Sequence, residues 1–333
     1  MKHRKLIILI LMLLLTLAAG TLFLIHYIPL VPQSDEQVLI TVKPNTPAKS
    51  VFADLHEKGA LDHPMLFEWL FETFKWDTRI QPGTYSFRKK EAWQMLVSKL
   101  KNGETYKVKV TFPEGWRATQ IAKRLEEADI ISSANEFQSI AQKKKLEGYL
   151  FPTTYFLEMD ISASKAAKDM NALFERIWKE KFADRAEQIS MSKHDIVTLA
   201  SIVEREAVLS KEKPIIAGVF LNRLKKNMRL EADPTIQYAI GYWKKRLSYK
   251  DLKRGSPYNT YLNFGLPPGP IANPGEETIR AVLWPQKTDY LYFVSKGDGS
   301  HEFTKTLKEL IQAKRRYRKI VREYRQKQRT KKR

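Results

Sequence analysis

The run DIVTLASIVEREA, residues 195–207, decides how the rest of the chain is read. Ile196, Ala200, Val203 and Ala207 recur at four-three-four spacing, the period of a helix with one buried stripe. Ser192, with Asp195 three residues on, supplies an N-cap and a capping-box-like start. At about 100° per residue, Glu204 and Glu206 leave that helix on opposite shoulders of the stripe. A carboxylate at the edge of an apolar face is half desolvated, and desolvation raises the pKa of an acid. A Glu so placed can hold a proton near neutral pH and deliver it as a general acid. The competing reading, a solvated boundary residue, is not excluded by the helix alone.

Four downstream segments change the balance: VFLNRL (219–224), RLEADPTIQYAIG (229–241), PYNTYLNFGLPPGPIANPG (257–275) and YLYFVSKGDGSHEF (290–303). Upstream, LEGYLFPTTYF (146–156) is a further landmark. Taken in this order, the segments resemble the endolytic murein transglycosylases of the YceG-like family, over residues 42 to about 310. Many relatives carry Asp after the proline of the upstream landmark, where this chain has Thr153. The resemblance implies a lytic transglycosylase that cuts peptidoglycan glycan strands between N-acetylmuramic acid and N-acetylglucosamine. It implies a 1,6-anhydro product and no cofactor. Glu204 aligns with the family's catalytic Glu.

Other residues are weaker candidates for touching substrate. Residues 215–224 read as a helix, and Asn222 near its end is either a C-terminal cap or a substrate contact. Asp233 precedes Pro234 and reads well as the N-cap of a helix at 235–240. Four of the chain's sixteen prolines fall within residues 267–274, so this stretch is a stiff loop and neither helix nor central strand. Just before it, Tyr258, Asn259 and Tyr261 supply hydroxyls, an amide and flat rings, which suit a sugar. Residues 290–294 read as a strand, returning through His301 and Phe303.

Composition narrows the chemistry. No cysteine is present, so disulfides, thiolate metal sites and cysteine nucleophiles are excluded. The six histidines form no HxxxH or comparable pair, which predicts no metal site. No Gly-rich phosphate loop or G-x-S-x-G elbow occurs. The net charge of +21 calls for anionic partners. Residues 314–333 hold twelve Lys or Arg against one Glu, so this tail alone carries about half of that excess.

Lys2, Arg4 and Lys5 precede an uncharged run over residues 6–25, long enough to span a ~30 Å hydrocarbon core. The basic flank predicts a cytoplasmic N-terminus, with everything after Tyr27 outside. A cleaved signal peptide ending near Ala18-Ala19-Gly20 is the alternative. An extracytoplasmic location removes nucleic acid as a partner and favours anionic lipid or an acidic wall polymer for the basic tail.

Between anchor and catalytic region lies a partial internal repeat, residues 44–67 against 113–137. Val51 falls on Ile121, Leu55 on Leu125, Leu61 on Ile131 and Phe67 on Phe137. Each copy reads as a strand, a turn at Pro and an amphipathic helix. The pattern over 38–106 resembles the LysM-like portion of the family, which implies glycan binding; simple packing of a small α+β module is the alternative.

The expected architecture is therefore α+β. A cytoplasmic N-terminus and single-pass membrane anchor (1–28) leads through a linker (29–37) to a LysM-like module (38–106). A mixed α/β catalytic domain (107–312) and a basic tail (313–333) follow. The expected reaction centres on Glu204, with Asn222, Tyr258, Asn259 and Tyr261 as substrate contacts, peptidoglycan strands as substrate and peptidoglycan synthases as implied partners. Two alternatives stay open: a muramidase-type hydrolase pairing Glu204 with Glu206 or Asp233, and a non-catalytic wall-binding scaffold.

Overall fold

A computed structural model describes residues 7, 10–16, 18, 20, 34–242, 244 and 246–331, with side chains to 318 and at 320. The chain divides into two compact units, residues 1–108 with 156–160, and residues 109–155 with 161–333.

In the first unit, strands Gln37–Val42 and Gly83–Arg88 pair antiparallel, Gln37 opposite Arg88 and Val42 opposite Gly83. Alternation buries Ile40 and Val42 on one strand and Tyr85 and Phe87 on the other. Helices Ala48–Glu57, Pro64–Thr73 and Trp93–Asn102 cover that face with Phe52, Leu55, Phe67, Phe71, Leu96 and Leu100.

The repeat runs further than its sequence trace. Strand Lys107–Thr111, helices Ala118–Glu127 and Ala134–Lys143, strand Thr154–Glu158 and helix Ala163–Lys181 repeat the same strand-helix-helix-strand-helix order. The helices begin 70 residues after their counterparts, at 118, 134 and 163 against 48, 64 and 93. Details follow the offset. Thr41 and Thr84 share a hydroxyl hydrogen bond of 3.0 Å, and Thr111 and Thr154 one of 2.8 Å. The Tyr85 hydroxyl donates to the Gln81 carbonyl and the Tyr155 hydroxyl to the Phe151 carbonyl, both at 2.7 Å.

In the second unit, helix Lys193–Glu206 lies at the centre of the core. Residues 196–203 are buried without interruption, where the sequence predicts a single stripe. Helices Ala163–Lys181, Ala183–Gln188, Lys213–Lys225, Asp233–Ile240 and Glu276–Leu283 contribute to the same core, and a helix enclosed on all sides is apolar all round. Strands Tyr292–Ser295 and His301–Thr304 form an antiparallel hairpin. Helix Leu307–Lys331 then runs through the basic tail.

The predicted membrane anchor requires correction. Among the described residues no helix is long and apolar enough to cross a membrane. Part of the predicted span lies outside the described residues. The fold class of the described residues is mixed α+β.

Candidate active site

Ser192 caps the central helix as its sequence predicts: its hydroxyl accepts from the Asp195 amide at 3.0 Å and donates to the Asp195 carboxylate at 2.7 Å. Fourteen residues on from the cap, the last turn of the same helix presents Glu204, Arg205 and Glu206. The Glu204 side chain is only 7% exposed. It is not a boundary residue. Its Oε1 lies 3.2 Å from the Lys213 ammonium, and its Oε2 accepts from the Gly275 amide at 3.0 Å and from the Thr278 hydroxyl. Both oxygens therefore meet polar donors, where the sequence predicts an apolar surround.

Lys213 starts the helix Lys213–Lys225 and is itself buried. Glu114 at 3.4 Å and Glu277 at 3.7 Å also face its ammonium. Burial pulls its pKa down, but Glu204 and the other two carboxylates more than reverse this, so the ammonium stays charged. Three carboxylates around one cation leave the cluster net negative.

Two short segments assemble the site. Gly115, at φ +75°, comes close to Glu204: a Cβ added there would lie 3.4 Å from the Glu204 Cγ. The Gly115 amide donates to the Asn273 carbonyl at 2.8 Å, and the Gly115 carbonyl accepts from Arg205 at 3.3 Å. Asn273, fully buried, donates its side-chain amide to the Trp116 carbonyl at 2.9 Å and to Glu147 Oε1 at 3.2 Å, and accepts from the Leu150 amide. The proline-rich loop is stiff because its φ angles are fixed, and it is tied to the central helix where the Ile271 amide donates to the Ser201 hydroxyl at 2.9 Å.

A cleft of about 520 Å³ opens beside this assembly. Glu147, His194, Tyr238, Tyr258 and residues 268–270 are among its lining. Burial first raises the Glu147 carboxyl to about 7, against the lowering effect of the Ala118 amide, the Arg117 guanidinium and the Asn273 side chain. Glu206 is pushed up to about 8, by burial and then by the nearby Asp233 carboxylate. The burial-raised carboxyls are thus Glu147 and Glu206.

The predicted substrate contacts separate in the structure. Tyr258 lines the cleft, its ring 4.8 Å from that of Tyr238. Asn259 is fully buried and holds its own loop, donating to the Leu252 and Arg254 carbonyls and accepting from the Tyr261 amide. The Tyr261 hydroxyl donates to Asp233 at 2.5 Å. Asn222 donates to the Thr288 and Tyr290 carbonyls at 2.8 and 3.0 Å, ahead of the hairpin. It caps nothing, since its helix continues to Lys225. Asp233 is the first residue of the helix Asp233–Ile240 and not its cap, which is Ala232.

A model of the YceG-like family matches residues 40–316, most of the chain. The chain belongs to the YceG-like family. It is 36% identical over 315 residues to a Bacillus subtilis protein named endolytic murein transglycosylase, with 87% of each chain covered. A Streptococcus pneumoniae protein of the same name is 26% identical over 325 residues, which cover 84% of this chain and 59% of that one. The crystal structure of a YceG-like protein from Listeria monocytogenes superposes with a TM-score of 0.56 at 31% identity, covering 84% of this chain and 99% of that one. The family match encloses every residue of the site, from Glu114 to Thr278.

Sequence reading missed Lys213, Thr278, Gly275, Asn273 and Glu147 as members of this site. The signal for three of them was present: Asn273 and Gly275 sit in the ANPG end of the proline-rich segment, and Glu147 in the LEGYLFPTTYF landmark. Nothing in the local sequence pairs Lys213 or Glu147 with Glu204.

Proposed function

We propose that the protein is an endolytic murein transglycosylase in which Glu204 handles the proton of the reaction. The observation that carries the reading is the Glu204 carboxyl itself, fixed at the end of the central helix by Lys213, Gly275 and Thr278. The names of the relatives support the same activity.

The chemistry asks for little beyond this. Glu204 gives a proton to the glycosidic oxygen as the C1–O4 bond breaks, and takes the proton of the muramyl O6 as the C1–O6 bond forms. The 1,6-anhydro ring closes and the carboxyl is restored, with no water consumed. One acid–base group suffices because the nucleophile belongs to the substrate, unlike hydrolases that need two carboxylates. As Glu204 gives up its proton, it joins Glu114 and Glu277 around Lys213 in a net negative set, which suits the positive charge that develops on the ring in an oxocarbenium-like transition state.

The substrate lies outside the cytoplasmic membrane, so we place the enzyme there, working beside the synthases that extend the strands. The exposed Trp69 and Phe74 of the first unit support a glycan-holding role for residues 38–106. The charge of the Leu307–Lys331 helix supports contact with anionic lipid or wall polymer.

Digestion of purified sacculi followed by mass spectrometry tests the activity. New 1,6-anhydro-muramyl ends that depend on Glu204 are the expected result. Reducing ends would identify a hydrolase, and unchanged sacculi would leave the scaffold reading.

A further inference from the structure

Glu147 is the one carboxyl among the residues lining the cleft, and Glu204 is not among them. Its hydrogen bonds are one-sided. Oε1 accepts from the Ala118 amide at 3.0 Å and from the Asn273 side chain at 3.2 Å. Oε2 has no hydrogen-bond partner among the described residues, and it is not sealed from solvent. The side chain is therefore held at one oxygen and open to the cleft at the other.

The duplicated scaffold carries a carboxyl at this place in both copies but ties down only the second. Seventy residues earlier the same place is occupied by Asp77, on the one-turn helix Asp77–Arg79. Among the described residues Asp77 makes no hydrogen bond to Ala48, the counterpart of Ala118 at the start of the first helix of its copy. In the second copy the fold gives Glu147 two donors, one from the helix Ala118–Glu127 and one from the stiff loop. Tyr238 and Tyr258 line the cleft with it, the Tyr238 ring carrying the Arg117 guanidinium at 5.0 Å. An open carboxyl oxygen next to aromatic faces suits a sugar, which carries polar hydrogens on its rim and C–H groups on its faces.

We propose that Glu147 is a substrate-contacting residue of this active site, its Oε2 hydrogen-bonding an N-acetylhexosamine unit seated in the cleft. The inference rests on the transglycosylase reading for the identity of the ligand. With the carboxyl raised to about 7, both protonation states are present at neutral pH. The neutral state donates as well as accepts, whereas the ionised state only accepts. Arg117, Lys145, His194, Tyr238 and Tyr258 are the other titratable groups around it.

The test uses the full chain and soluble, uncrosslinked glycan strands, with KM, kcat and binding measured separately. Glu147→Ala is expected to raise KM about tenfold and to leave kcat within about threefold, the scale of one lost hydrogen bond. In a Glu204→Gln background, where strands bind uncut, adding Glu147→Ala should weaken binding by the same factor. Glu147→Gln keeps an acceptor for Ala118 and should flatten the pH dependence of KM between pH 6 and 8. Thermal melts confirm that each variant is folded. Unchanged strand binding in the folded double variant would overturn the proposal, and so would a loss confined to kcat, which would make Glu147 a proton donor. Absence of anhydro ends from the wild-type protein would instead overturn the activity, and the binding comparison would still decide whether Glu147 touches glycan.

Discussion

Glu147 and Glu204 are held by opposite ends of the same three residues: the Asn273 side chain donates to Glu147, and the Gly275 amide donates to Glu204. Pro274 between them fixes the backbone, so the two carboxyls are positioned by one rigid piece of loop. The loop's far end reaches the central helix at Ser201. Movement of the loop would be felt by both acids at once.

Replacing Glu204 by Gln should lower strand cleavage by at least about a hundredfold while preserving strand binding. Gln keeps an acceptor for Thr278 and Gly275, and Lys213 keeps Glu114 and Glu277 as counter-charges. The fold should therefore survive, as a melt would show. Full cleavage by a folded variant would remove Glu204 from the mechanism.

Glu206 makes stability depend on pH in a direction that can be stated. Its carboxyl is raised from an ordinary 4.5 to about 8 in the folded protein, so between those values the native state binds the extra proton. Stability from this group then falls as pH rises through the window, because ionising it opposes burial and the Asp233 carboxylate. Glu206→Gln should melt above the wild type at pH 8, by at least about 1 kcal/mol of stability, and differ little at pH 5. Parallel melting curves across that range would contradict the assignment. Cleavage by this variant should stay well above that of Glu204→Gln.

Asn222→Ala removes two hydrogen bonds to the Thr288 and Tyr290 carbonyls. The expected outcome is a loss of about 1–3 kcal/mol of stability with KM for glycan strands unchanged. Denaturant titration alongside steady-state kinetics separates this from a substrate contact, for which KM would rise without a stability loss.

Gly148 has φ +88°, and a Cβ there would meet Pro270 at 2.4 Å. A proline ring in a stiff loop cannot swing aside as a flexible side chain can. Gly148→Ala should therefore cost about 2–4 kcal/mol and reduce cleavage by displacing the loop that holds Glu147 and Glu204. By contrast, Gly265→Ala meets no atom within 4 Å, although it shares a positive φ of +79°. Its stability loss should be the smaller of the two, and equal losses would show that backbone strain alone, and not the Pro270 contact, sets the cost.

Much of the architecture was legible in the sequence because it is encoded locally. The Ser192 cap, the central helix and the returning hairpin follow from side-chain period and capping chemistry, which act over a few residues. Half of the repeat was visible through its apolar spacing; the shared threonine and tyrosine hydrogen bonds show only in three dimensions. Of the residues marked in sequence, Glu204 falls at the end of the central helix and Tyr258 in the lining of the cleft. Asn222 and Asn259 look like substrate groups in sequence because amides bind sugars, but amides bind backbone carbonyls equally well.

What the sequence determined by itself is the capped central helix, the stiffness of residues 267–274 and the position of Glu204 near that helix's end. Tertiary structure alone decided the surroundings of that carboxyl. A periodic stripe cannot say whether the other faces of a helix are also covered, and here all of them are. Nor can spacing bring Lys213, Thr278 and Gly275 onto Glu204, or set Glu147 at the cleft. Those pairings join residues far apart in the chain, and their effect on each carboxyl comes from burial and donors that exist only once the core has closed.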